Sequence, residues 1–220
     1  MMDWSWDRAW EIAPELFTRG LAVTLQATLG GAVLAFTLGL ALALLLRSRR
    51  PWVRLPVRGF VEVVRSTPLL AQLFILYYVF PSTFGITMSA LTTGIVGLGV
   101  HYATYTAEVY RSGIDGVPRG QWEAAVALNL PRFRTWTGVI LPQAIRRVLP
   151  ALGNYLIGIF KESPQLALIT VVDVLGLARI LAAEDFRYLE PLTLAGLFFL
   201  VIAIPSSILV RRLERRLEHG

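Results

Sequence analysis

Leu21–Leu46 reads LAVTLQATLGGAVLAFTLGLALALLL, 26 residues without a charged side chain. A helix rises ~1.5 Å per residue, and ~20 residues cross the ~30 Å apolar core of a bilayer, so this stretch spans one with length to spare. The rest of the chain follows suit. Residues 66–107 form a second run, 42 residues without a formal charge, enough for two crossings. Pro81, Ser82, Thr83 and Gly85 divide that run, which ends one crossing near Phe80 and starts the next near Ala90. Residues 191–210 supply another 20. Residues 148–160 are uncharged for only 13 positions before Lys161 and Glu162, and 164–172 is apolar again. The segment 148–172 therefore reads as a fifth, interrupted crossing. The expected fold is an all-α membrane protein of one domain, with crossings at approximately 21–46, 57–80, 90–110, 148–172 and 191–210.

Composition agrees. The chain has 220 residues, 55% of them hydrophobic and only 16% charged, with a mean hydropathy of +0.59. Soluble domains carry about 25% charge, so neither a disordered chain nor a water-soluble enzyme fits. Cysteine is absent, and His101 and His219 are the only histidines, which argues against a disulfide framework or a multi-histidine metal centre. No phosphate-binding G-x-x-x-x-G-K-[ST] loop, H-E-x-x-H or G-x-S-x-G occurs, and the single lysine, Lys161, follows Ile159 and Phe160.

The net charge of +6 matters by its placement. Fifteen of the 21 basic residues fall in three segments: Arg47 to Arg58, Arg111 to Arg147 and Arg211 to Arg216. Residues 81–90 hold none, and near the start Arg8 and Arg19 face Asp3, Asp7, Glu11 and Glu15. Positive charge stays on the cytoplasmic side, so the N-terminus is expected outside and the C-terminus inside, which requires the fifth crossing. Trp4, Trp6 and Trp10 among acids suit a segment lying on the outer surface, with the first crossing as an uncleaved anchor. The arginine clusters set topology, with contact to lipid headgroups as the further reading.

The longest segment outside the crossings is 111–147. Pro118 precedes and Pro131 stops a helix at 120–129, in which Glu123 sits in the first turn and small Ala124 and Ala125 allow close approach. A second short helix is expected over 132–140, broken by Leu141-Pro142. Gly120, Glu123-Ala124-Ala125, Asn129 and Ile140-Leu141-Pro142 resemble the EAA loop of ABC importer permeases. The family pattern has Gly where this chain has Asn129, the non-glycine residue that best tolerates left-handed geometry. Arg65-Ser66-Thr67-Pro68-Leu69-Leu70 resembles the R-x-T-P-L-L segment of the polar amino-acid branch. The stretches 98–106, 153–157, 161–164 and 186–191 resemble the ectoine and hydroxyectoine permeases.

That resemblance implies a type I permease in the inner membrane, without a cofactor and without catalysis of its own. Its loop docks on an ATP-binding subunit present in two copies. A second homologous permease chain completes the pore, an extracellular solute-binding protein delivers a small polar zwitterion, and nucleic acid plays no part.

Charges within crossings are costly and usually face a bundle interior or a pathway. Arg65 lies in the first turns of the second crossing, where it either snorkels to the headgroups or lines a path with Thr67. Pro68 leaves the Val64 carbonyl without its helical donor. His101, Tyr105 and Glu108 share one helix face, with Tyr102, Thr104 and Thr106 adding polarity; these groups are either packing contacts or pathway lining. Glu108 pairs with Arg65 or Arg111. Lys161-Glu162-Ser163-Pro164 is either a self-neutralising kink or a break that shapes a pathway, and Asn154 lies two turns earlier. Tyr102, Tyr105 and Tyr155 offer aromatic faces for a cation. An ATP-independent transporter or channel using Lys161, Glu162 and Glu108 is the alternative, though no internal repeat supports it. An enzyme built on His101 and Glu108 lacks a nucleophile and a metal.

Overall fold

The computed structural model describes residues 3–218, all helical with no strand among them; His219 lies outside the described residues. The first helix, α1, runs Trp6–Leu46 for 41 residues. Helix α2 is Pro51–Arg65, α3 is Leu69–Phe84, α4 is Ala90–Asp115 and α5 is Arg119–Ala127. Helix α6 is Arg132–Ile169, α7 is Val174–Glu184 and α8 is Leu189–Glu218. Among the described residues, only α1 and α8 are individually long and apolar enough to cross a membrane. The pairs α2 with α3 and α6 with α7 pass that test together, bent by 104° and 45°.

Helix α4 is long enough, at 26 residues, but polar, because it is the centre of the bundle. It packs along α1. The seam is built from small residues, Ala27, Gly31, Ala35, Gly39 and Ala43 on one side and Gly99, Ala103 and Ala107 on the other. Close approach of backbones replaces the hydrophobic drive that a lipid environment lacks. The approach is tight enough for the Thr106 hydroxyl to donate across the seam to the Ala35 carbonyl at 2.9 Å. A Cβ at Gly39 would press into that hydroxyl and meet the Ala103 carbonyl oxygen at 2.9 Å. Leu69, Leu73, Ile159, Leu166 and Ile169 close the core around this pair. Large apolar side chains such as Leu29, Val33, Leu44, Leu200 and Val201 stay on the outside, a surface that only lipid or another apolar chain would cover.

Four expectations need correction. First, the tryptophan-bearing start does not lie apart from the first crossing: it is the opening of α1, with Trp6 and Trp10 exposed and a wide π turn at Leu16–Gly20 carrying the helix onward. Ion pairing of Arg8 with Asp185, and the Glu190 carboxylate accepting from the Ser5 N–H at 2.9 Å, tie this start to the end of α7 and the first turn of α8.

Second, 57–80 is not one rod. Pro68 cannot donate and biases Thr67 away from helical geometry, so the chain turns at Ser66–Pro68. Arg54 and Arg58 therefore ride on a separate amphipathic helix, α2. The far end also runs past Phe80, to Phe84, where Gly85 at φ 66 terminates it.

Third, Leu141-Pro142 does not break a helix. A π turn at Thr135–Ile140 widens the backbone just before the proline, and the Leu141 N–H donates to the Trp136 carbonyl. The same device, a π turn at Ile75–Val79, precedes Pro81. The helix starting at Arg132 thus runs uninterrupted through 148 and into the expected fifth crossing.

Fourth, the Lys161–Pro164 segment is a change of helix type, from α to a 3-10 stretch at Ser163–Ile169. The chain leaves helix only at Thr170, φ 68, and re-enters with Asp173 capping α7 through the Gly176 N–H at 2.8 Å.

Candidate functional site

Four tyrosine and histidine rings meet between α4 and α6. The one-face spacing of α4 brings His101 and Tyr105 together at 5.3 Å between ring centroids, and Tyr102 and Tyr105 at 6.1 Å. Tyr155 of α6 completes the group, 5.9 Å from Tyr102 and 6.0 Å from Tyr105. Tyr102 fits only because residue 158 is glycine: a Cβ there would stand 2.8 Å from the Tyr102 hydroxyl.

These residues wall a cleft of about 600 Å³, open to one side, lined by Tyr102, Tyr105 and Val109 of α4 and by Ala151, Asn154, Tyr155, Gly158 and Glu162 of α6. Glu162 is the one carboxylate in it. Its side chain interacts with Tyr102, while its Oε2 is buried and has no hydrogen-bond partner among the described residues. An unsatisfied buried acceptor of this kind calls for a donor from water, an ion or a ligand, most favourably a charged one. The tyrosine faces suit a cation as well. Ala151 and Asn154 also line a second cleft, about 560 Å³, where Gln143, Arg146, Arg147 and Glu214 stand.

Of the expected pathway residues, Tyr102, Tyr105, Asn154 and Glu162 share this cleft. Arg65 is not in the first turns of a crossing; it ends α2 and holds its guanidinium 5.0 Å from the Tyr105 ring centroid, at the rim. Glu108 is not in the tyrosine cleft. It accepts from Arg111 at 2.6 Å and faces a separate pocket with Arg54, Arg58 and Arg65. Thr67 is not there either, its hydroxyl being used at the α2–α3 bend. Lys161 is exposed and makes no ion pair with Glu162, because neighbouring helical residues project in different directions.

The signal missed in the sequence is Gln72. Its amide nitrogen donates to the Val64 carbonyl that Pro68 leaves free, at 2.7 Å, and its oxygen lies 3.2 Å from His101 Nδ1. A single glutamine in an apolar run carries no pattern; only the Val64 carbonyl, denied its usual helical donor by Pro68, pointed to it.

Beyond the end of α4, α5 and the first turns of α6 form the loop. Ala125 is buried, while Gly120, Glu123, Ala124, Pro131, Leu141 and Pro142 are exposed. The Trp122 and Trp136 rings meet edge to face at 5.3 Å and fix the angle between the two helices. Asn129 is left-handed at φ 51. The Leu130 N–H donates to the Ala125 carbonyl at 3.0 Å and the Asn129 N–H to the Val126 carbonyl at 2.9 Å. This is the Schellman arrangement, which requires a left-handed residue at Asn129. Val126, Leu128 and Phe133 project outward with exposures of 75%, 72% and 77%, an apolar surface beside Glu123. Among the described residues no group of three His, Asp or Glu side chains stands together as a metal site would need.

Comparison with known proteins assigns this architecture. Residues 35–219 match the family described as binding-protein-dependent transport system inner membrane component. The chain is 49% identical over 192 residues to a probable amino-acid ABC transporter permease protein, y4tG, of Sinorhizobium fredii, covering 87% of this chain and 83% of that one. It is 34% identical over 200 residues to the arginine transport system permease protein ArtQ of Bacillus subtilis, covering 90% and 91%. A solved amino acid ABC transporter, crystallised with histidines, superposes with a TM-score of 0.91 at 34% identity, covering 98% of this chain and all of that one. A chain of the MetNI methionine ABC transporter in an inward-facing conformation shares the fold, with a TM-score of 0.77 at 21% identity. The chain belongs to the family of binding-protein-dependent transport system inner membrane components, the multi-pass permease subunits of ABC importers, which leave ATP hydrolysis to a separate subunit.

Proposed function

We propose that this chain forms one wall of the translocation path for a small zwitterion bearing a cationic group, either a polar amino acid or the compatible solutes ectoine and hydroxyectoine. The observation that carries this is the tyrosine-walled cleft with the unpartnered Glu162 oxygen, a recognition chemistry suited to a guanidinium, ammonium or delocalised ring cation. Relatives named for arginine and for amino acids support the first class, and the local stretches resembling ectoine permeases support the second. The cleft is open to one side, so a second permease chain closes it. The exposed loop around Glu123, Ala124 and Ala125 receives one ATP-binding subunit, two such subunits serving the pair. The N-terminus lies outside, where a solute-binding protein docks, and the arginine-rich loop and C-terminus lie in the cytoplasm. An ATP-independent transporter is disfavoured by family membership.

The test is uptake in proteoliposomes of the assembled system, with labelled arginine, glutamine and ectoine. The expected result is ATP-dependent uptake of at least one cation-bearing solute, weakened about ten-fold or more in apparent affinity by Glu162→Gln, the usual scale for losing one charge-assisted hydrogen bond. Uptake unchanged by that substitution would remove Glu162 from recognition.

A further inference from the structure

The bend between α2 and α3 frees backbone acceptors, and one side chain gathers them. The Gln72 amide nitrogen stands 2.7 Å from the Val64 carbonyl, 3.1 Å from the Thr67 carbonyl and 2.7 Å from the Thr67 hydroxyl. An atom with carbonyl oxygens on two sides must be the NH2 group, so the orientation of this amide is dictated by its surroundings. The amide oxygen consequently faces the other way, 3.2 Å from His101 Nδ1. A neutral imidazole meets an amide oxygen only as donor, which places the proton on Nδ1. His101, 8% exposed, backs the tyrosine wall, its ring 5.7 Å from Tyr102 and 5.3 Å from Tyr105. From the other limb of the bend, Arg65 lies over the Tyr105 ring. Both sides of one 104° bend therefore reach the tyrosine wall, one through Gln72 and His101 to Tyr102 and Tyr105, the other through Arg65 to Tyr105.

We propose that Gln72 is a positioning residue for the cleft: it locks the α2–α3 bend to the Tyr102–Tyr105 wall, so that bend and wall move as one body. This rests on the cleft being the solute path. The residues of the bend at Ser66–Pro68 are exposed; Thr67 bonds back to the Val63 and Val64 carbonyls of α2, and Gln72 bonds link α3 to that same cluster. A displacement of the wall then pulls on the bend through His101, and a change in the bend reorients the wall, since coupling between two sites is reciprocal.

The chain has no cysteine, so Trp52→Cys on α2 and Phe84→Cys at the end of α3 give two unique spin-label sites, both exposed. The distance distribution between them, measured on the full chain in lipid nanodiscs, reads the bend. Gln72→Glu keeps the size of the side chain but loses the donors to Val64 and Thr67, and His101→Leu removes the other end of the link without touching the bend. Each is expected to broaden the distribution about two-fold, and His101→Gln, which keeps a donor, to restore it. A wild-type width in His101→Leu would reduce Gln72 to a local cap and overturn the proposal. In uptake of labelled arginine, glutamine and ectoine, Gln72→Glu is expected to raise the apparent KM about five-fold with little change in maximal rate, alongside Tyr155→Ala as the cleft control. If Tyr155→Ala raises KM and Gln72→Glu does not, positioning is refuted. If neither does, the reading of the cleft falls, while the spin-label distances still decide whether bend and wall are linked.

Discussion

Replacing Gly39 by alanine separates tertiary packing from helix propensity by sign. In an unconstrained helix position the change stabilises by about 1 kcal/mol, because glycine is the poorer helix former. At Gly39 the added Cβ meets the Ala103 carbonyl oxygen at 2.9 Å and presses into the Thr106 hydroxyl, neither of which is the yielding end of a long side chain. Overpacking of this kind destabilises by ~1–3 kcal/mol. Pushing α4 away also breaks the 2.9 Å bond from Thr106 to Ala35, a cross-helix bond of the class worth about 0.6 kcal/mol in membranes. The balance is a loss of about 0.5–2.5 kcal/mol. Gly196 on α8 is the control, because a Cβ there meets nothing within 4 Å, and alanine should leave stability unchanged or higher. Reversible unfolding in mixed micelles measures both. Adding Thr106→Ala to Gly39→Ala should recover part of the loss. Neutral or increased stability of Gly39→Ala would refute the small-residue seam as the contact that sets the α1–α4 distance.

The loop and its turn yield the other expectations. Glu123→Arg should abolish uptake while the chain still inserts in the membrane, as protease protection and uptake together would report; normal uptake would defeat the coupling role of the loop. Asn129→Gly should be within a few tenths of a kcal/mol of wild type, whereas Asn129→Val, forced to φ 51, should cost ~1–2 kcal/mol and speed proteolysis of the loop.

Charge-free runs revealed the helical membrane class, because burying a charge in lipid is so unfavourable that its absence over ~20 residues is hard to produce otherwise. The loop was legible for a different reason: Pro118, the alanine pair and the turn residue Asn129 each answer a local backbone requirement. What hydropathy does not carry is direction. The bend at Ser66–Pro68 leaves the composition of 57–80 unchanged while turning its axis by 104°. Pro142 reads as a helix breaker until a π turn just upstream makes room for it. Lys161 and Glu162 look like one unit in the sequence, yet one faces outward and the other the cleft. Tyr102, Tyr105 and Tyr155 were legible as aromatic faces, but their convergence depended on α6 packing beside α4 through Gly158.

In the proposed function, solute passes along the cleft between Tyr105, Asn154 and Glu162. Asn154 is exposed and lines both the tyrosine cleft and the arginine-bearing cleft next to it. With no native cysteine in the chain, Asn154→Cys reports access to that point alone. In the assembled transporter, a membrane-impermeant thiol reagent should modify this cysteine, and the transported solute, present in excess, should slow the modification. Modification that proceeds at the same rate with and without solute, or a cysteine that water-borne reagent never reaches, would contradict a pathway at this cleft.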